Sequence, residues 1–119
     1  MAASEIQIQT LFRSRARIMC PGVCLVAVPN GGKRSQWAAG QAKREGLAKG
    51  FPDLIALAPG KVAFIEMKSA KGRVRADQTE WIDRLKAMGF PAGIFRDADS
   101  AVEFLRAEGF PFIDRVGRL

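Results

Sequence analysis

The sequence contains no histidine and no tyrosine, and it has only two cysteines, Cys20 and Cys24. Without histidine, Ser-His-Asp and Cys-His catalysis are excluded, and so are zinc sites that mix cysteine with histidine. Two cysteines are too few for a disulfide scaffold. A general base in this chain must therefore be a carboxylate, a lysine or a metal-bound water. Cys24 lies in an apolar run and is predicted to be a core residue.

Long apolar segments are also absent, because the apolar runs are interrupted by charge or by Pro and Gly. The sequence therefore predicts no membrane span, and its N-terminus lacks the basic-then-apolar order of a signal peptide. A chain of 119 residues with 48% hydrophobic and 26% charged residues is typical of one globular domain. We expect a single domain over residues 1–119, located in the cytoplasm.

The charge is unevenly distributed along the chain. Residues 1–75 contain thirteen of the nineteen basic residues, but only four acidic ones, whereas residues 76–119 contain six basic and eight acidic residues. A basic surface of this kind suits a polyanion such as nucleic acid. The alternative is a generic basic protein whose charge only keeps it soluble.

Two acidic residues of the basic half belong to a predicted β-hairpin. The apolar runs 54–58 and 62–65 flank Pro59-Gly60, which is a turn signal, and this register places Asp53 opposite Glu66. Opposed Cβ atoms lie roughly 5 Å apart, where two unit charges repel by roughly 3 kcal/mol at an effective dielectric of about 20. Lys68 shares the face of Glu66 because side chains alternate along a strand. The arrangement suits a divalent metal and an anionic substrate, although a solvated strand end remains the alternative.

The remaining chain predicts an α/β domain in which helices flank a mixed sheet. Ser4 and Gln7 have capping-box spacing and open a first helix that runs to about Cys20. Glu5 lies along the line of its apolar stripe; it either complements the helix dipole or reaches the hairpin as a third carboxylate. The other predicted strands are a buried strand at 23–28, a strand at 92–95 and an edge strand at 111–113. A basic helix is predicted from Ser35 to Glu45, with a mobile loop that contacts phosphates or a plain surface helix as the alternatives. Two further helices are predicted, one from an Asp77–Glu80 cap to Met88 with Trp81, Ile82, Leu85 and Met88 buried, and one opened by Ser100 and Glu103 and ending near Gly109.

Taken in order, several short motifs resemble the VRR-NUC domain of the PD-(D/E)XK nuclease superfamily. They are Ser4-Glu5 with Gln9, Pro29-Asn30-Gly31-Gly32, the run from Gly46 to Asp53, Glu66-Met67-Lys68, and Gln78 with Trp81, Leu85 and Gly89. A histidine that often precedes the Pro-Asn-Gly loop is missing, and Val28 stands before Pro29. The match covers about residues 4–96.

The resemblance implies a stand-alone, phage-type domain with a restriction-endonuclease-like mixed sheet, acting in a bacterial or phage-infected cell. It implies that Glu5, Asp53, Glu66 and the Met67 carbonyl bind Mg²⁺ or Mn²⁺. Lys68 would hold the attacking water or stabilise charge on the phosphate, and Gln78 would orient Lys68 or the nucleophile. No organic cofactor is expected.

The expected activity is metal-dependent endonucleolytic hydrolysis of DNA, selective for branched structures such as Holliday junctions or flaps, in replication, repair or recombination. Similar stand-alone family members imply a homodimer. The alternatives are a non-catalytic nucleic-acid-binding module, and RNA as the substrate. Phosphate contacts, which position the backbone without reading sequence, are expected from Asn30, Lys33, Arg34, Lys43, Arg44, Lys49, Lys71, Arg73 and Arg75.

Overall fold

The computed structural model describes residues 3–29 and 48–113, which form a four-stranded mixed sheet with three helices. The predicted basic helix from Ser35 to Glu45 lies outside the described residues. The elements in chain order are α1 (Glu5–Met19), β1 (Cys24–Ala27), β2 (Leu54–Ala58), β3 (Lys61–Met67), α2 (Ala76–Ala87), β4 (Ala92–Phe95) and α3 (Ala98–Ala107).

The sheet has the strand order β1-β2-β3-β4, in which β1, β2 and β3 are antiparallel neighbours and β4 runs parallel to β3. The hairpin register is the predicted one, because Ala58 pairs with Lys61 around the Pro59-Gly60 turn. The pairing continues to Leu54 and Ile65, so the next step of the same ladder brings Asp53 opposite Glu66. The hairpin prediction is confirmed.

Each face of the sheet packs against different helices. On one face Leu54, Ile65 and Met67 are fully buried, in a core shared with Phe12 of α1 and Leu105 of α3. Because strand side chains alternate, Phe64 projects from the other face, where it packs with Ile82 and Leu85 of α2. The hairpin therefore presents one set of alternate residues to the main core and the other set to the side of α2.

Two predictions about apolar residues are wrong. The strand at 23–28 was expected to be buried, but β1 is an edge strand of the described sheet, with Cys24 and Val26 exposed. A continuous apolar run does not reveal whether a strand is central or at an edge. Met88 was placed in the buried stripe of its helix, yet it is 58% exposed because the helix ends at Ala87 and the chain turns away at Gly89.

The helix starts were predicted with mixed success. The capping box of α1 is confirmed, with Ser4 and Gln7 bonded reciprocally. The start of α2 is not at an Asp77–Glu80 box, because Arg75 is the N-cap and its backbone N–H donates to the Gln78 side chain. Likewise α3 is capped by Asp97, whose carboxylate accepts from the Ser100 N–H, so the Ser100–Glu103 box is wrong. Residues 111–113 form no strand, although Ile113 N–H bonds to Met19.

Among the described residues, no helix has the length and apolar character needed to cross a lipid bilayer.

Candidate metal centre

Three carboxylates from separate parts of the chain meet at one end of the sheet. Glu5 is the first residue of α1, Asp53 immediately precedes β2, and Glu66 lies near the end of β3. Each offers an oxygen within 4.8 Å of the others. We call Glu5, Asp53 and Glu66 the acidic triad. Glu66 is buried, Asp53 is half-buried and Glu5 is exposed, so the triad opens to solvent on the side of α1.

Backbone pairing fixes Asp53 beside β3. Its carboxylate accepts the Met67 backbone N–H, with both oxygens 3.4 Å from that nitrogen. Its main-chain carbonyl accepts the N–H of Val28 at 2.9 Å, which extends the pairing beyond the end of β1. Asp53 is therefore held from both neighbouring strands. That the Met67 carbonyl is a metal ligand remains a prediction, although Met67 is hydrogen-bonded to Asp53 through its backbone N–H.

The surroundings of Asp53 and Glu66 disfavour the negatively charged forms of their carboxyl groups. Burial raises the pKa of Asp53 from 3.8 to about 7, partly offset by the Met67 N–H and the Lys68 ammonium, while Glu5 adds repulsion. Burial also raises the pKa of Glu66 from 4.5 to about 8, and the Asp53 carboxylate adds to this effect. A cation placed among them would relieve both burial and repulsion.

Lys68 and Gln78 complete the inner wall of the site, and both are almost fully buried. The Lys68 ammonium lies 3.9 Å from a carboxylate oxygen of Glu5, and the Lys68 backbone N–H donates to Phe95 at 2.8 Å. The Gln78 side-chain amide donates to Glu66 at 3.3 Å, and its oxygen accepts the Arg75 N–H at 3.0 Å. Gln78 thus links the start of α2 to the buried carboxylate.

The donor set fits a hard divalent cation. Carboxylate oxygens are the ligands that Mg²⁺ and Mn²⁺ favour, and three of them come from three separate parts of the chain. No ordinary structural need explains a half-buried Asp53 opposite a buried Glu66, because like charges repel and burial disfavours their charged forms. Within the described part of the chain, the acidic triad is a possible metal site, with the metal's identity open.

The predicted phosphate-binding residues divide into two groups. Lys49, Lys71, Arg73 and Arg75 are exposed, and Arg75 also contacts Asp77, with 3.1 Å between its Nε and a carboxylate oxygen. The other five lie outside the described residues: Asn30, Lys33, Arg34, Lys43 and Arg44. One positively charged residue near the site was not predicted. Arg96 lies directly after β4, and its side chain donates to the backbone of the segment that follows Lys68. No local sequence pattern predicts such a long-range contact.

Comparison with known families decides the classification. The family model described as "VRR-NUC domain" matches residues 9–98 of this chain. The chain belongs to the VRR-NUC domain family. The match covers Asp53, Glu66, Lys68 and Gln78, whereas Glu5 precedes it.

Solved structures agree with this VRR-NUC assignment at the level of the fold. A structure titled "VRR_NUC domain protein" shares 18% sequence identity with a TM-score of 0.68, covering 89% of this chain and 88% of the other. Another, titled "VRR_NUC domain", shares 19% identity with a TM-score of 0.60, covering 91% of this chain and 100% of the other. Among curated protein sequences, none matches the chain significantly. The predicted restriction-endonuclease-like fold is confirmed.

Proposed function

We propose that this VRR-NUC protein is a Mg²⁺- or Mn²⁺-dependent endonuclease that hydrolyses DNA phosphodiester bonds. The observation that carries the proposal is the acidic triad, in which the half-buried Asp53 and the buried Glu66, both with raised pKa values, lie beside a buried lysine. A nuclease-type fold supplies the context for this chemistry. A module that only binds nucleic acid gains nothing from carboxylates near phosphates, because like charges repel.

In this proposal Glu5, Asp53, Glu66 and the Met67 carbonyl hold the metal. When bound, a divalent cation would neutralise charge on the phosphodiester and make water more acidic. Lys68 would place its ammonium beside the phosphate and stabilise the negative charge that develops there, an effect strengthened by its burial.

Gln78 would act as the residue that orients this arrangement. Its amide N–H group bonds to Glu66, which directs the carboxylate, while its oxygen is engaged by the backbone of Arg75. Because both ends of the amide are occupied, Gln78 has one favoured orientation. We assign it to positioning Glu66, rather than to direct contact with the nucleophile.

The proposed substrate is branched DNA, with a Holliday junction or a flap as the first candidates. The exposed side chains Lys49, Lys71 and Arg73 would contact phosphates, which carry no base sequence, so selectivity would come from DNA shape. A homodimer would match a two-fold junction.

The decisive experiment incubates the purified protein with four-way, flap and nicked DNA and with structured RNA, in Mg²⁺, Mn²⁺ or EDTA. We expect metal-dependent cutting of branched DNA by the wild type and by Asp83→Ala, a control that removes an exposed carboxylate of α2. Asp53→Ala and Glu66→Ala should bind DNA and fail to cut it.

The other outcomes are equally informative. Absence of metal-dependent cleavage on every substrate would contradict the enzyme proposal, and DNA binding alone would then indicate a non-catalytic module. Full activity in Asp53→Ala or Glu66→Ala would contradict the site. Preferential cutting of RNA would indicate that RNA, rather than DNA, is the substrate. Sedimentation of the protein on a four-way junction tests the homodimer.

A further inference from the structure

The segment between β3 and α2 begins with the buried Lys68. We call residues 69–75 the basic loop, because Lys71, Arg73 and Arg75 lie in it. Lys71 and Arg73 are exposed. The position of this loop therefore determines where these two exposed cationic side chains lie relative to the acidic triad.

The basic loop has little hydrogen bonding of its own. Its turn contains one backbone bond, from the Gly72 N–H to the Ser69 carbonyl at 3.0 Å. The turn is compact at Gly72, where a Cβ would lie 2.8 Å from the Ser69 hydroxyl oxygen. Short turns of this kind open readily unless other parts of the protein hold them.

The side chain of Arg96 supplies that support. Its Nη1 lies 2.7 Å from the carbonyl oxygens of Ser69 and Gly72, and 3.2 Å from that of Ala70. Three carbonyl dipoles of one turn thus converge on one guanidinium. Hydrogen bonds to a charged donor are about twice as strong as neutral ones, so this contact is well suited to fixing a loop.

Arg96 is also placed to couple the loop to the site. The residue before it, Phe95, ends β4 and accepts the Lys68 backbone N–H at 2.8 Å. Two consecutive residues therefore hold the strand end that carries Lys68 and the turn that follows it. A shift at the end of β4 would move both.

We propose that Arg96 is a positioning residue that holds the basic loop so that Lys71 and Arg73 meet the phosphate backbone of the substrate. This inference rests on the proposed nuclease function for its ligand, a DNA backbone. It assigns Arg96 no direct contact with DNA, and it makes the loop, rather than Arg96, the binding element.

Trypsin tests the loop without DNA, because it cleaves after Lys71 and Arg73. Cleavage of these two bonds in the folded protein, followed by mass spectrometry, should be about tenfold faster in Arg96→Ala, since a lost hydrogen bond to a charged group is worth at least that factor. Arg106→Ala is the matched control, because this exposed arginine of α3 pairs with a glutamate of the same helix and lies over the Phe112 ring, and among the described residues it makes no hydrogen bond or ion pair with the basic loop. An unchanged rate in Arg96→Ala would overturn the proposal.

A double-mutant cycle then tests the connection to DNA. Binding of a four-way junction is measured in EDTA for the wild type, Arg96→Ala, the pair Lys71→Ala with Arg73→Ala, and all three together. We expect Arg96→Ala to weaken binding in the wild-type background and to change it by no more than about twofold when Lys71 and Arg73 are already gone.

A direct phosphate contact by Arg96 predicts a different result. Its loss would weaken binding equally in both backgrounds and lower the salt slope by about 0.9 in each. That additive result would overturn the proposal, and so would undiminished binding by Arg96→Ala. If the wild type binds no DNA, the proposed function is contradicted, and so is the proposed contact between the basic loop and DNA. The trypsin rates still report whether Arg96 holds the basic loop.

Discussion

Replacing Glu66 by glutamine should stabilise the metal-free protein while it removes the metal response. The side chain is 3% exposed and faces Asp53, so its charged form is disfavoured by burial and by repulsion. Glutamine has the same shape, is neutral, and can still accept the Gln78 amide N–H that Glu66 accepts now. The substitution therefore removes an unfavourable charge and keeps the hydrogen bond.

The magnitude follows from the pKa of Glu66, which is about 8 in the folded protein and 4.5 ordinarily. Between these values the folded protein retains a proton that the unfolded chain has lost, so the free energy of unfolding falls as pH rises. The fall is about 1.4 kcal/mol per pH unit. From pH 5 to pH 7, the wild type should lose roughly 2 to 3 kcal/mol relative to Glu66→Gln, or roughly 10 °C in Tm for a domain of this size.

Urea unfolding in EDTA, followed by tryptophan fluorescence at pH 5, 6, 7 and 8, measures this difference. Glu80→Gln is the control, because Glu80 is an exposed carboxylate on α2, and its curve should parallel the wild type at every pH. Saturating Mn²⁺ should then reverse the order at pH 8, because it stabilises only a protein with the full acidic triad. Parallel pH curves for Glu66→Gln and the wild type would refute the claim that Glu66 is buried beside Asp53.

Three further outcomes are expected. Mg²⁺ or Mn²⁺ at a fixed concentration should raise the wild-type Tm more at pH 8 than at pH 6, because the carboxyl ligands must lose protons to bind metal. Differential scanning fluorimetry measures the two shifts, and equal shifts would argue against carboxylate ligation. Gly50→Ala should lower the free energy of unfolding, measured in urea, by more than Gly60→Ala does. Both glycines have a positive φ, which costs an alanine about 1–2 kcal/mol of strain. Of the two, only Gly50 would also place a Cβ within 2.8 Å of the backbone of Asp77. Leu85→Ala should destabilise by about 2–4 kcal/mol, whereas Met88→Ala should change stability by less than about 0.5 kcal/mol; a comparable loss at Met88 would contradict its exposure.

The hairpin could be predicted from the sequence because its determinants are local. The Pro59-Gly60 turn sets the register, and the register alone brings Asp53 opposite Glu66. Alternation then places Lys68 on the face of Glu66. The role of Glu5 could not be predicted from the helical pattern alone, which left two roles open. The resemblance to the VRR-NUC domain favoured a role in the acidic triad.

Features that depend on tertiary neighbours were beyond the sequence. Cys24 is exposed because β1 is at the edge of the described sheet, a position that an apolar run does not encode. The start of α2 depends on a side chain three residues inside the helix: Gln78 bonds back to Arg75, where the sequence favoured an acidic cap. Arg96 reaches a turn more than twenty residues away, and only the parallel pairing of β3 with β4 brings the two together.

The main core also protects the geometry of the site. Ile65 and Met67 are fully buried on the face of α1 and α3, while Glu66 projects toward α2 from between them. A slip of one residue in β3 would exchange the two sets, moving Ile65 and Met67 to the polar side of the site and driving Glu66 and Lys68 into the main core. An unpaired charge in an apolar core costs several kcal/mol, so this slip is strongly disfavoured. The buried apolar residues on either side of Glu66 therefore hold its carboxylate in an electrostatically unfavourable position, so the acidic triad stays assembled without a metal.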